Sequence, residues 1–130
     1  MNEQMVVAAK AGPVMYDAVV VGAGFGGLYA VHKLRNELGL TVQAYENGGD
    51  VGGTWYWNRY PGALSDTESF VYRYSFDKEL LQQGAWKRRY LTQPEILAYL
   101  GQVADRYDLR RNYQFNTKVT AARFDDASGS

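Results

Sequence analysis

The sequence predicts an α/β domain built on a parallel sheet, and three features of its first half indicate this fold. The β-branched run Val19–Val21 is typical of a buried parallel strand. A glycine-rich turn, Gly22–Gly27, follows it directly and precedes a helical pattern. A second apolar run then ends at Glu46, 19 residues after Gly27. This spacing is typical of the strand, helix and strand that bind a dinucleotide in doubly wound proteins.

Each part of this unit has a physical role in the prediction. Gly22 permits a tight turn, Gly24 lets the backbone approach a pyrophosphate, and Gly27 allows the helix to pack closely on the strand. The N-terminus of the helix favours an anion. Glu46 would accept hydrogen bonds from ribose hydroxyls and repel a 2′-phosphate, which predicts FAD or NAD, not NADP, as the first nucleotide. A glycine-rich turn without a nucleotide is the alternative, which the strand, helix and acid together disfavour.

The remaining elements follow from periodicity and turn chemistry. The first helix is expected over 25–38 with Gly39 at its end, and the second strand over 40–45. Thr92 and Glu95 form a capping box before a helix whose apolar face continues to Tyr107. Strands are predicted at 113–115 and 119–124, and 125–130 is typical of a hairpin turn. Residues 1–15 are expected to be a flexible leader before a domain over 16–130.

Composition excludes several classes of function. The chain of 130 residues has 14 basic and 14 acidic side chains, which gives no electrostatic reason to expect nucleic acid or an anionic membrane. Cysteine is absent, so thiolate metal sites and disulfides are excluded. We expect no metal site, no transmembrane helix and no signal peptide, and a cytoplasmic location. The single histidine, His32, is expected to be solvated or to pack against a helix.

An aromatic segment, Thr54–Tyr60, follows two glycines that could leave clearance for a flat ring system. Its aromatic rings are equally consistent with the wall of a cofactor pocket and with an aromatic core or subunit contact. Asp66 is the candidate catalytic carboxylate, although the residues alone favour a helix N-cap within 65–68. Arg59 and Arg73 are expected to be solvated, as is the basic run 87–89.

The motif Gly52–Gly62 and the run Asp66–Ser69, with the glycine turn and the box at 92–95, resemble the Baeyer–Villiger monooxygenases, such as phenylacetone, cyclohexanone and steroid monooxygenases. The resemblance covers about residues 16–130 and implies a Rossmann-like FAD-binding domain at the N-terminal end of such an enzyme. The family's second glycine fingerprint, its histidine-containing signature and its catalytic arginine are missing from these residues. We therefore expect a partial domain, without the NADPH domain, that leaves apolar sheet surface exposed and needs the remainder of the polypeptide.

The resemblance also assigns roles to residues. It implies that the glycine turn holds the pyrophosphate, that Glu46 holds the adenosine ribose, and that Val119 offers its backbone to the adenine. Residues 64–66 would face NADPH, with Asp66 close to an arginine from a later part of the protein. The implied cofactor-binding residues are Gly22, Gly24, Phe25, Gly26, Gly27, Glu46, Gly53, Thr54, Trp55, Tyr56, Trp57, Leu64, Ser65, Asp66, Tyr72 and Val119.

The implied reaction uses FAD, NADPH and O2. NADPH reduces the flavin, oxygen adds at its C4a position, and the resulting peroxide attacks a ketone to give an ester or lactone. Two alternatives stay open: a flavin enzyme that oxidises nitrogen or sulfur through the same site, and a nucleotide-binding module without catalysis.

Overall fold

A computed structural model describes residues 13–83 and 87–130, so most of the expected leader over 1–15 lies outside the described residues. The strands are β1 (Ala18–Val21), β2 (Val42–Tyr45) and β3 (Tyr113–Gln114). The helices are α1 (Phe25–Val31), which continues as a π-helical stretch over His32–Glu37, α2 (Thr54–Trp57), α3 (Lys78–Gln83) and α4 (Gln93–Arg106). A single 3₁₀ turn, Arg110–Asn112, leads into β3.

The three strands form one parallel sheet in the order β1-β2-β3. Ala18 pairs with Val42, and Ala44 pairs with Tyr113, so that the carboxyl ends of the strands meet at one edge. The predicted parallel sheet is confirmed. Glycine at position 39, with φ of 68°, ends the first helical segment as expected.

Only one face of β1 is covered by the described chain. Val20 is buried, whereas Val19 and Val21 are 58% and 64% exposed. The expectation of a fully buried strand is therefore wrong for this chain, because nothing in the described residues packs on the second face. The expectation that apolar sheet surface stays exposed is confirmed.

The core lies between the sheet, the first helical segment and α4. The capping box begins α4 as predicted: the Glu95 carboxylate accepts hydrogen bonds from the amide (2.9 Å) and the hydroxyl (2.8 Å) of Thr92. The apolar face of α4 then packs inward. The fully buried large side chains of the core are Leu28, Leu91, Ile96, Leu100, Leu109, Val31, Val51 and Val103.

One other expectation fails. The stretch 119–124 is not a strand, because the chain leaves the sheet after the Thr117 amide bonds the Glu46 carbonyl at 3.0 Å. No described residue then pairs with its backbone, and a strand without a partner has no ladder to stabilise it. The turn within 125–130 does form, closed by a bond of 2.8 Å from the Gly129 amide to the Asp125 carbonyl. The short helices α2 and α3 were not predicted.

Within residues 13–83 and 87–130, none of the helices has the length and apolarity needed to cross a membrane. The same residues contain no group of three or more carboxylate or imidazole side chains arranged to hold a metal ion.

Candidate functional site

The glycine turn lies where β1 ends, at the edge to which the other strands also point their carboxyl ends. Gly22 has φ of 102°, a backbone conformation that residues other than glycine rarely adopt. This conformation turns the chain sharply out of the strand. A Cβ atom on Gly27 would lie 1.9 Å from the Gly22 carbonyl oxygen. The close packing of helix on strand predicted from Gly27 is therefore present.

The first helical turn leaves backbone donors available. The first bond of the segment runs from the Leu28 amide to the Gly24 carbonyl at 3.0 Å. In the described part of the chain, the amides of Gly24, Phe25 and Gly26 have no protein acceptor. A Cβ atom on Gly26 would meet nothing within 4 Å. The turn therefore presents several backbone N–H groups to an open region, as binding of an anion requires.

Gly24 has a second neighbour that the sequence did not indicate. A Cβ atom on Gly53 would lie 2.8 Å from the Gly24 Cα atom, and one on Gly24 would lie 3.4 Å from the Gly53 Cα atom. The Gly52 amide also donates to the Ala23 carbonyl at 2.9 Å. The two glycine segments thus pack backbone against backbone, which ties the aromatic segment to the glycine turn.

Glu46 is buried beside this turn, with 6% of its surface exposed. One carboxylate oxygen accepts the Ala23 amide at 2.7 Å, and the other accepts the Gly48 amide at 2.7 Å. Each oxygen keeps a lone pair for a further donor. The structure therefore places the predicted ribose ligand next to the predicted phosphate-binding turn and holds its carboxylate in one orientation.

Tyr113 reaches the same turn from β3, and sequence reasoning missed it. Its hydroxyl donates to the Gly22 carbonyl at 3.0 Å. Burial raises the pKa of this hydroxyl, and the charge of Glu46 raises it further, so it remains a donor. The alternating pattern marked Tyr113 as a strand residue, but its contact depends on a pairing across 91 positions.

The aromatic segment divides between core and surface, in keeping with the two alternatives. Trp55 is buried, and its indole N–H donates to the Tyr72 hydroxyl at 3.0 Å. The Tyr56 hydroxyl accepts the Gly49 amide at 3.0 Å. Trp57 and Tyr60 are 57% and 64% exposed. Two rings therefore support the loop, and two remain available to contact another molecule.

The space beside the two glycines before Trp55, expected to be open, is filled by other residues of this chain. A Cβ atom on Gly52 would lie 2.5 Å from a methyl group of Leu97 and 3.0 Å from the Tyr56 Cβ atom. Gly53 faces Gly24 instead of open space. The expectation that these two glycines leave room for a flat ring is therefore not met by the described geometry.

Asp66 is exposed and lies at no helix start, so the N-cap interpretation is wrong. The hydroxyl of Ser65 accepts the Thr67 amide at 3.0 Å, and the Ser65 amide bonds the Leu91 carbonyl at 2.8 Å. These bonds hold residues 66 and 67 in a bend that directly follows an isolated bridge between Leu64 and Thr92. The Asp66 carboxylate contacts only the Thr67 hydroxyl, at 3.5 Å, among the contacts of the described residues. It is free to interact with another group.

The other candidates are dispersed around this centre. The Phe25 ring lies 4.8 Å from that of Tyr72, at the edge of an open groove of about 460 Å³ that also includes Tyr29 and Tyr74. Val119 is half-buried, and Thr54 and Leu64 are exposed.

The basic candidates make local contacts. The guanidinium of Arg59 bonds the Tyr56 carbonyl, and that of Arg73 bonds the carbonyls of Phe70 and Leu81. Residues 87–89 are exposed, as predicted.

His32 packs within the helix layer, which is one of the two roles expected for it. Its ring lies 4.7 Å from that of Phe76 and 4.4 Å from that of Tyr107. Burial lowers the pKa of His32, although the neighbouring Glu37 opposes the shift. His32 therefore belongs to the packing of the domain.

Comparison with known proteins agrees with this geometry. A family model for the NAD(P)-binding Rossmann-like domain matches residues 20–83. A Baeyer–Villiger monooxygenase of Pseudooceanicola batsensis is 71% identical over 88% of this chain and 21% of its own length. A phenazine N-monooxygenase of Lysobacter antibioticus is 57% identical over 85% of this chain and 20% of its own length. The crystal structure of cyclohexanone monooxygenase from Rhodococcus sp. Phi1 bound to NADP+ superposes with a TM-score of 0.86 at 63% identity, covering 89% of this chain and 22% of that one.

The parallel sheet, the glycine turn and the matching family model define a Rossmann-like nucleotide-binding domain. Within that class, the chain is homologous to one segment of the Baeyer–Villiger monooxygenases. The chain spans about a fifth of the length of the curated relatives it matches.

Proposed function

We propose that this chain forms the FAD-binding part of a flavoprotein monooxygenase. The observation that carries the proposal is the juxtaposition of three available amides, those of Gly24, Phe25 and Gly26, with the buried carboxylate of Glu46. The amides fit the pyrophosphate of a dinucleotide, and the carboxylate fits the ribose hydroxyls. A 2′-phosphate would meet the negative charge of Glu46, which favours FAD over NADP at this turn.

The aromatic segment is the proposed flavin side of the site. Trp57 is exposed and can cover a flat ring, while the indole of Trp55 is fixed by its bond to the Tyr72 hydroxyl. Since Gly53 packs against Gly24, this segment lies beside the turn proposed to hold the pyrophosphate of the same cofactor. The further residues proposed for the cofactors are Gly22, Gly27, Thr54, Tyr56, Leu64, Ser65, Asp66 and the main chain of Val119.

The proposed reaction converts ketones to esters or lactones with NADPH and O2. Bound FAD would supply the oxygen-activating chemistry, with NADPH as the source of electrons. The residues of this chain bind the cofactor, orient it and help to exclude water from it. Asp66, with an exposed carboxylate and one weak contact, is proposed to orient a cationic group from the NADPH-binding part of the protein. The close relatives that oxidise ketones support this assignment.

The test is oxidation of a ketone panel by the purified full-length gene product with NADPH and oxygen. We expect bound FAD, ketone-dependent NADPH consumption and an ester or lactone product detected by mass spectrometry. Absence of both ester and lactone across cyclic, linear and aromatic ketones, from a protein with bound FAD, would contradict the proposed reaction. Absence of FAD itself would contradict the cofactor assignment. We also propose a soluble, cytoplasmic protein, which fractionation of the producing cells would test.

Oxidation of nitrogen is the second candidate, since a phenazine N-monooxygenase is among the close relatives. Parallel assays with phenazines, amines and sulfides distinguish it from ketone oxidation. A module without catalysis is the third, and it predicts FAD binding with no substrate-dependent NADPH consumption.

A further inference from the structure

The peptide group between Gly22 and Ala23 is held from both sides, by the side chain of Tyr113 on β3 and by that of Glu46, which directly follows β2. Its carbonyl oxygen accepts the Tyr113 hydroxyl at 3.0 Å. Its N–H donates to the Glu46 carboxylate at 2.7 Å. Because the carbonyl and N–H of a trans peptide point in opposite directions, the two contacts together fix the orientation of the peptide plane.

The Tyr113 hydroxyl lies at the point where strand and helix meet. A Cβ atom on Gly27 would lie 3.2 Å from this oxygen, and the residue itself is 8% exposed. Its strand pairs with Ala44, two residues before Glu46. Tyr113 therefore lies in the sheet, and Glu46, directly after β2, is tied to it by a bond of 3.1 Å from its amide to the Gln114 carbonyl.

Orientation of this peptide matters because it immediately precedes the available amides. Gly22 has φ of 102° and carries no side chain, so its own steric restrictions on the peptide plane are weak. Rotation of this plane would redirect the following N–H groups of Gly24 and Phe25. A turn whose donors are fixed before binding loses less conformational entropy when the anion arrives.

From this geometry we infer that Tyr113 is a positioning residue for the phosphate-binding turn, acting through the Gly22 carbonyl to aim the amides at the pyrophosphate of FAD. The inference rests on the proposed function, since it names a residue that sets affinity at that same site. Tyr113 does not itself touch the nucleotide. Its contribution is preorganisation of the turn, so its loss should change the Kd for the cofactor more than the rate of the reaction.

The test compares Tyr113→Phe with wild type in the full-length gene product, because this substitution removes one hydroxyl and keeps the buried ring. After removal of the cofactor, FAD binding is measured by quenching of flavin fluorescence, and ADP binding by competition. We expect both nucleotides to bind about 5- to 10-fold more weakly, as loss of one buried hydrogen bond predicts. An equal loss for ADP would place the effect at the pyrophosphate and not at the flavin ring.

Tyr107→Phe is the matched control. It also removes one tyrosine hydroxyl, which here donates to the Asp77 carboxylate, and its ring packs against His32 and Phe76 and not against the glycine turn. We expect this variant to lose stability and to keep the wild-type Kd for FAD. Hydrogen exchange of the nucleotide-free protein gives a second measurement: the hydrogen-bonded amides of Gly22, Ala23 and Leu28 should exchange faster in Tyr113→Phe and at the wild-type rate in Tyr107→Phe.

An unchanged Kd for FAD in folded Tyr113→Phe would overturn the inference, as would unchanged exchange rates at the amides of Gly22, Ala23 and Leu28. A loss of thermal stability alone, equal to that of the control, would also overturn it. Failure of the proposed function is distinct, since wild type would then bind no FAD. The exchange measurement needs no nucleotide, so it still decides whether the hydroxyl orders the turn.

Discussion

Gly27 and the Gly22 carbonyl lie so close that a Cβ atom on Gly27 would be 1.9 Å from the oxygen. The distance is far below any van der Waals contact, and the obstacle is backbone, which cannot rotate away. Gly26, the preceding residue, has open space at its Cβ position. Two adjacent glycines of one helical turn therefore have opposite steric environments.

Alanine substitution should separate these two positions. Gly27→Ala must push the helix from the strand, and we expect it to destabilise the nucleotide-free protein by about 3 kcal/mol or more, at the upper end of overpacking costs. Gly26→Ala should instead stabilise it by roughly 0.5–1 kcal/mol, because alanine is the better helix former. Urea unfolding of both variants of the full-length gene product measures the difference. Equal effects of the two substitutions would contradict the packing described.

Glu46 should contribute to stability even without a nucleotide. Its two oxygens accept the Ala23 and Gly48 amides, and a carboxamide offers only one acceptor oxygen. We expect Glu46→Gln to destabilise the nucleotide-free protein by about 1–3 kcal/mol, the cost of leaving a buried donor without a partner. Glu37→Gln, at an exposed pair with Lys33, is the control and should cost less than about 1 kcal/mol. If Glu46→Gln leaves the free energy of unfolding in urea unchanged, these bonds do not stabilise the turn.

The sequence predicted the parts of the fold that depend on local pattern. The strand at Val20, the turn at Gly22 and the capping box at Thr92 all combine residues that lie a few positions apart. The contact of Tyr113 with Gly22 depends instead on which strands become neighbours, and no local pattern contains that information.

The failed expectations have the same origin. Residues 65–68 have the composition of a helix start, but the bridge between Leu64 and Thr92 and the bond from the Ser65 amide to the Leu91 carbonyl hold the start of this stretch beside another segment, and 66–67 form a bend. The stretch 119–124 has the composition of a strand, but no described residue pairs with it. A tertiary partner overrode local preference in the first case, and the lack of a pairing strand within the described residues did so in the second.

The capping box should contribute measurably to α4. Glu95 accepts both the amide and the hydroxyl of Thr92, so Glu95→Ala leaves the Thr92 amide without this acceptor. We expect a loss of about 0.5–2 kcal/mol, as for other helix caps. Gln102→Ala, on the exposed side of the same helix, is the control and should be nearly neutral. The free energy of unfolding in urea measures both, and an equal loss would argue against a specific capping contribution.

Asp66 should affect turnover and not cofactor content. Its exposed carboxylate has a single contact of 3.5 Å with the Thr67 hydroxyl, so Asp66→Ala should fold and retain FAD. We expect the rate of ketone oxidation to fall by about 10- to 100-fold, as misplacement of an active-site group commonly causes. Asp126→Ala, in the exposed turn near the end of the chain, is the control. If Asp66→Ala keeps the wild-type kcat and KM, Asp66 is not part of the proposed site.

Lowering the pH should reduce the stability of the folded protein through protonation of His32. Burial lowers the pKa of His32 from its usual 6.5 in the folded state, so the unfolded chain takes up the proton first as the pH falls. The stability that the neutral ring provides is therefore complete above about pH 6.5 and is lost progressively as the pH falls toward the lower folded-state pKa. Burial is the largest cause and acts with Arg35 and Lys33 to lower the pKa, against Glu37 and Asp77, which raise it.

Thermal unfolding of wild type and His32→Phe at about pH 7.5 and about pH 5.5 provides the measurement. Phenylalanine keeps a flat ring between Phe76 and Tyr107 but cannot take up a proton. Wild type should lose more in Tm between the two pH values than His32→Phe does. Because all other titrating groups are shared, the difference between the two losses reports His32 alone. Equal losses would show that the ring has the same pKa in the folded and unfolded states, and a smaller loss for wild type would mean that folding raises it.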